Sequence, residues 1–115
     1  MDLVWISLNY HDLHGFFAPA DVAKINKAVF AALKPGGVFV VLDHVATAGS
    51  GIAATDTLHR IDPERVKADI LAAGFKLDKQ STILANAADD HSKNVFDPSI
   101  RNHTDQFLFR FKKPK

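Results

Sequence analysis

The stretch DVAKINKAVFAALKPGGVFVVLDHV, Asp21 to Val45, decides the fold. Val22, Ile25, Val29 and Leu33 recur at helical spacing, while Lys24 and Lys27 fall on the opposite face. Asp21 stands where a helix cap or first-turn acid belongs. Lys34-Pro35-Gly36-Gly37 then stops the helix, because Pro cannot continue it and Gly adopts the left-handed conformation that ends one. Val38-Phe39-Val40-Val41-Leu42 is an unbroken apolar run, as expected of a strand covered on both faces in a parallel sheet. The unit is therefore α/β. Sheets of this kind carry their chemistry beyond the carboxyl ends of their strands, which is where Asp43 and His44 lie.

A second apolar run, Leu3-Val4-Trp5-Ile6-Ser7-Leu8, ends in the same manner on Asn9-Tyr10-His11-Asp12. Trp5 to Leu8 is apolar enough to be covered on both faces. Two strands thus deliver ionisable clusters to one edge. Residues 9–19 read as a loop, with Gly15 and Pro19 as breakers. Residues 46–57 are rich in Gly, Ala, Ser and Thr and read as a surface loop. Asp62-Pro63-Glu64-Arg65 is a helix start, with Asp as N-cap and Pro at the first helical position. Val66 and Ile70 share a face of that helix, and Gly74 ends it. Phe75 to Leu84 reads as a strand. Residues 86–102 form a long polar loop. Gln106 to Lys112 is a strand with Phe107, Phe109 and Phe111 on one side. The order is strand, helix, strand, helix, strand, strand. No helix separates the last two strands, so they pair antiparallel.

Composition narrows the function. A chain of 115 residues that is 47% hydrophobic, with nine Phe, buries the core of one small domain. A net charge of +1 argues against a nucleic-acid or anionic-membrane partner. The basic tail Lys112-Lys113-Pro114-Lys115 reads as a solvated terminus. The absence of Cys excludes disulfides, thiolate metal sites and Cys nucleophiles. No apolar run approaches the ~20 residues of a membrane span. No signal peptide is recognisable, so the chain as it stands reads as cytoplasmic.

Leu33-Lys34-Pro35-Gly36-Gly37-Val38-Phe39-Val40-Val41 resembles the L-K-P-G-G segment between the fourth helix and fifth strand of class I S-adenosylmethionine-dependent methyltransferases. Ala72-Ala73-Gly74-Phe75 resembles that family's helix exit into its sixth strand. Phe107-Leu108-Phe109-Arg110-Phe111 resembles its seventh. Asn9-Tyr10-His11-Asp12 and His59-Arg60-Ile61-Asp62 are similar to segments of a bacterial group described as predicted methyltransferases. The resemblance covers essentially the whole chain. It implies a partial Rossmann-like methyltransferase sheet, equivalent to strands four to seven, with the last strand inserted antiparallel between the fifth and sixth. The family's glycine-rich loop and ribose-binding acid are missing. Gly49-Ser50-Gly51 follows the wrong strand to replace that loop. The resemblance therefore implies a truncated or split enzyme, a C-terminal half in which S-adenosylmethionine binds only with the missing half. Full-length relatives of this kind are sometimes preceded by a secretion signal. The implied partners are a small-molecule methyl acceptor and, through the first strand, a complementary half or a second copy. The alternative is a non-catalytic interaction module, since a free apolar edge strand invites pairing with another chain.

The resemblance puts Asn9 beside the cofactor and Tyr10, His11 and Asp12 near the acceptor, where His can act as a base beside a carboxylate. The structural alternative is a polar turn in which Asn and Asp bond the backbone and His is solvated. Asp43 and His44 are pocket candidates, with Asp43 either orienting a base or capping backbone. Arg60 is a candidate clamp for a substrate anion. Pairing with Asp62, Asp89 or Asp90 is the structural alternative. His11, Asp12, His14, Asp43 and His44 are residue types that hold zinc or iron, but no stretch has H-E-x-x-H spacing, and no metal site is expected.

Overall fold

The computed structural model describes all 115 residues. Seven elements run in the order β1 (Leu3–Ser7), α1 (Tyr10–Phe16), α2 (Pro19–Ala32), β2 (Val38–His44), α3 (Pro63–Ala72), β3 (Lys76–Ser81) and β4 (Gln106–Lys112). The four strands form one sheet in the order β1-β2-β4-β3. β1 and β2 are parallel, and β4 is antiparallel to both of its neighbours, β2 and β3. The last strand therefore enters between the two that precede it, as the resemblance implied.

The helix stops act as their chemistry dictates. Gly36 and Gly74 take φ of +82° and +112°. A Cβ on Gly74 would also lie 3.0 Å from the Phe30 ring, so a side chain is excluded there twice over. Asp62 caps α3 by accepting the Glu64 N–H at 3.0 Å, with Pro63 at the first helical position.

Strand alternation gives the sheet two unlike faces. Phe39, Val41, Phe107, Phe109 and Phe111 point to one side and are buried with Val22, Leu33, Val66 and Ile70 from the helices. Each such side chain contributes roughly 1.5–3 kcal/mol by leaving water. The opposite face presents Trp5, Val40, Leu108 and Arg110 around a shallow hollow of about 290 Å³. Leu3 and Trp5 are 51% and 59% exposed. This corrects the reading of β1 as covered on both faces: it is an edge strand, and only Val4 and Ile6 reach the core.

Two further corrections concern the segment after β1. Residues 10–16, read as loop, form α1. Pro19 begins α2 instead of breaking a helix, because the first helical position has no use for an N–H. α1 was hidden because its N-terminus is capped from far away. Asn9 makes no side-chain cap, and the His11 N–H is instead accepted by Asp43 at 2.7 Å.

Candidate functional site

The site grows from one buried carboxylate. Asp43, at the end of β2, is fully buried. It accepts the backbone N–H groups of His11 (2.7 Å) and His44 (2.8 Å). Its oxygens also lie 2.8 and 3.0 Å from Nδ1 of His11. An ionised carboxylate can only accept, so Nδ1 carries a proton and the lone pair of neutral His11 is at Nε2. Asp43 thus caps backbone N–H groups and fixes the orientation of the His11 ring. Burial opposes charge on the His11 imidazole, but the Asp43 hydrogen bond and charge, with Asp12 adding to them, leave its pKa raised above the ordinary value.

His11 faces outward onto three other groups. Nε2 stands 3.3 Å from Oδ1 of Asp12. The His59 ring meets it edge-on at 5.6 Å between centroids, and the His44 ring lies at 6.1 Å. One atom from each of His11, Asp12 and His59 falls within 4.8 Å of the others. His44 Nδ1 lies 2.6 Å from the Thr104 hydroxyl. Its pKa is lowered, first of all by burial; the Asp43 charge opposes this, while His11 and Arg60 add to it. His59 has φ +58°, a left-handed backbone that is uncommon for a residue other than glycine, although His adopts it more readily than most. Phe96, 60% exposed, stacks edge-on over His59 at 5.3 Å.

Arg60 holds this roof in place. It is fully buried, and its guanidinium grips Asp89 with two hydrogen bonds of 2.7 and 2.9 Å. It also donates to the backbone carbonyls of Val45 and Lys93. Asp89 further accepts the N–H groups of His91 and Asp105. Burial raises the Asp89 pKa, and these donors overcome it, so the carboxyl sits below its usual range. A backbone bond from Val95 to the Leu58 carbonyl fixes the long β3–β4 connection beside His59. Arg60 therefore takes the structural alternative and pairs with Asp89. Its guanidinium is occupied by Asp89 and two backbone carbonyls.

Tyr10 does not join the cluster. Neighbouring residues on a helix diverge by about 100°, so His11 faces the strand ends while Tyr10 and His14, four apart, face α2 and α3. Tyr10 is fully buried; its hydroxyl accepts from Asn26 at 2.9 Å and donates to Asp69 at 3.3 Å. Burial, first of all, pushes its pKa up. His14 Nε2 lies 2.6 Å from the same Asp69. Asn9, which immediately precedes α1, is exposed. His59, noted in sequence only within the His59-Arg60-Ile61-Asp62 segment, and Phe96, not noted at all, are the additions to the cluster. Their sites depend on loop conformation, and neither carried a periodic or spacing signal.

Two solved structures share this fold. One is an S-adenosylmethionine-dependent methyltransferase from Mesorhizobium loti, 17% identical with a TM-score of 0.61, matched over 98% of this chain and 62% of that one. The other is the (4+2)-cyclase SpnF, 16% identical with a TM-score of 0.62, matched over 99% of this chain and 50% of that one. The architecture is thus a methyltransferase-type α/β sheet, and the chain spans about half to three-fifths of these structures. No family model matches the sequence, and no curated protein matches it.

Leu8, at the β1–α1 junction, takes a positive φ of +61°. The Gly49 and Gly51 amides are already directed at Asp62, at 2.9 and 3.5 Å.

Proposed function

We propose that this chain forms the acceptor side of an S-adenosylmethionine-dependent methyltransferase. The cofactor-binding loop would come from residues outside these 115, on the same chain or on another. The observation that carries the reading is His11 held on buried Asp43 at the carboxyl ends of two parallel strands. There His11 accepts, at Nε2, the proton of a small acceptor's hydroxyl or amine, and Asp43 stabilises the imidazolium that results. Asp12 and His44 flank the same space, and Asn9 stands at its rim. The sheet comparison supports the class of reaction, although one neighbour is a cyclase, so fold by itself does not choose the chemistry.

Isothermal titration tests the division of labour. S-adenosylmethionine should not bind the 115-residue chain at micromolar concentrations. It should bind after co-expression with a complementary strand–glycine loop–helix segment. In that reconstituted enzyme His11→Ala should lower turnover by about 10²–10⁴-fold, the usual weight of a general base. Tight binding by the chain alone contradicts the split. Full turnover by the His11→Ala enzyme contradicts the base.

The second reading, a non-catalytic pairing module, draws on β1. It is an edge strand, and its Trp5 is 59% exposed. Such an edge can accept a further strand from a complementary half or from a second copy. A stable homodimer that never acquires cofactor binding would favour this reading. No helix of the structure is long and apolar enough to cross a membrane.

A further inference from the structure

We infer that His11, Asp12 and His59 form a binding site for a divalent transition-metal ion of the zinc type. The inference stands apart from the methyl-transfer reading and competes with it for one atom, Nε2 of His11.

Three observations converge on it. First, the donor set is two imidazoles and one carboxylate, a combination suited to zinc and its neighbours with a position left open. The ligating atoms lie within 4.8 Å of one another. A tetrahedral shell with bonds of ~2.0–2.1 Å needs them roughly 3.4 Å apart. Asp12 and His59 are each part-exposed, so side-chain rotation closes that gap. Second, His11 is already oriented as metal-binding histidines are. Its Nδ1 sits on a buried carboxylate, which fixes the tautomer and aims the Nε2 lone pair outward. Third, that lone pair faces the Asp12 carboxylate at 3.3 Å. Two acceptors so placed need a proton or a cation between them. The His59 ring completes the set, turned toward His11 by a left-handed backbone.

Binding keeps the Nδ1 proton on Asp43 and releases any Nε2 proton to solvent. A loaded chain therefore cannot use His11 as a base, and the ion should inhibit whatever reaction depends on that nitrogen.

The test titrates Zn²⁺, and Co²⁺ as a spectroscopic substitute, into the chain after chelator treatment. The expected result is one ion per chain, with visible Co²⁺ absorption of a low-coordinate N/O site. His59→Ala and Asp12→Asn should each weaken binding by about tenfold or more, at least the scale of lost second-shell support. Thermal melts confirm that both variants fold. A second readout needs no variant: Zn²⁺ should shift the ring nitrogen resonances of His11 and His59 and leave those of His91 and His103 in place. Unsaturable binding overturns the site. So does binding that survives both substitutions and falls instead with His91→Ala. Absent metal binding, the Asp12 contact is an ordinary imidazolium–carboxylate pair, and the base role of His11 is untouched.

Discussion

Asp43 and Asp89 are both buried carboxylates, and they have opposite fates. Asp89 is met by a guanidinium whose charge is permanent, in a bidentate pair closed off by two backbone N–H groups. Nothing in that arrangement can change state near neutral pH. Asp43 is met by an imidazole, which gains and loses a proton in the physiological range. One end of the chain's polar interior is therefore a staple, joining the loop before α3 to the long β3–β4 connection. The other is a poised group at the mouth of the sheet. The difference lies in the partner, not in the depth of burial.

The staple should break hardest. Arg60→Ala leaves Asp89 buried without its cation, and such losses cost about 3–5 kcal/mol. A urea melt should show this as a lowered midpoint, and a midpoint near the parent's would mean that the pair is not holding the loop. Asp43→Asn is milder. It keeps the shape and one oxygen for a single backbone N–H, turns an amide NH2 toward the other, and removes a charged acceptor from His11, worth about 1.5–3 kcal/mol.

The two centres should also bend the pH profile of stability in opposite directions. The Asp89 pKa is depressed on folding. Its contribution is complete above the unfolded value of about 3.9 and is lost as pH falls through the folded one. The His11 pKa is raised on folding. Its contribution is complete below the unfolded value of about 6.5 and is lost as pH rises through the folded one. Denaturant melts across pH, with chelator present, should show both slopes in the parent. Asp89→Asn should shallow the acid limb, which Asp69 also supports, and Asp43→Asn should shallow the neutral-to-alkaline limb set by His11. The smallest effect belongs to a pair with neither role. Arg110 and Asp78 meet at 2.7 Å on the open sheet face, part-exposed. Arg110→Ala should cost no more than about 1 kcal/mol.

The staple and the poised group were not equally legible. Lys34-Pro35-Gly36-Gly37 and the Phe107-Phe109-Phe111 alternation are local signals, and they gave β2, its preceding helix and β4 nearly to the residue. The site's address also followed from local signals, since both apolar runs end on polar clusters. What stayed hidden was long-range. α1 is capped by Asp43, 32 residues away, and Gly15 masks it in sequence. Read as a loop, Tyr10 and His11 appear to act together; on a helix they part. Arg60 had three acids within reach of reasoning, and only the folded β3–β4 connection selects Asp89, 29 residues on. His59 reaches the cluster through a left-handed backbone that nothing in its neighbours announces.

The central claim is that Asp43 holds His11 as a base with its free lone pair at Nε2. Long-range ¹H–¹⁵N correlation spectra of the histidine rings, recorded across pH on the chelator-treated chain, address it directly. The account predicts that neutral His11 carries its proton on Nδ1, that its pKa lies above the ordinary ~6.5, and that Asp43→Asn abolishes both features. A neutral His11 protonated at Nε2, or one that titrates at or below the ordinary value in the parent chain, would contradict it.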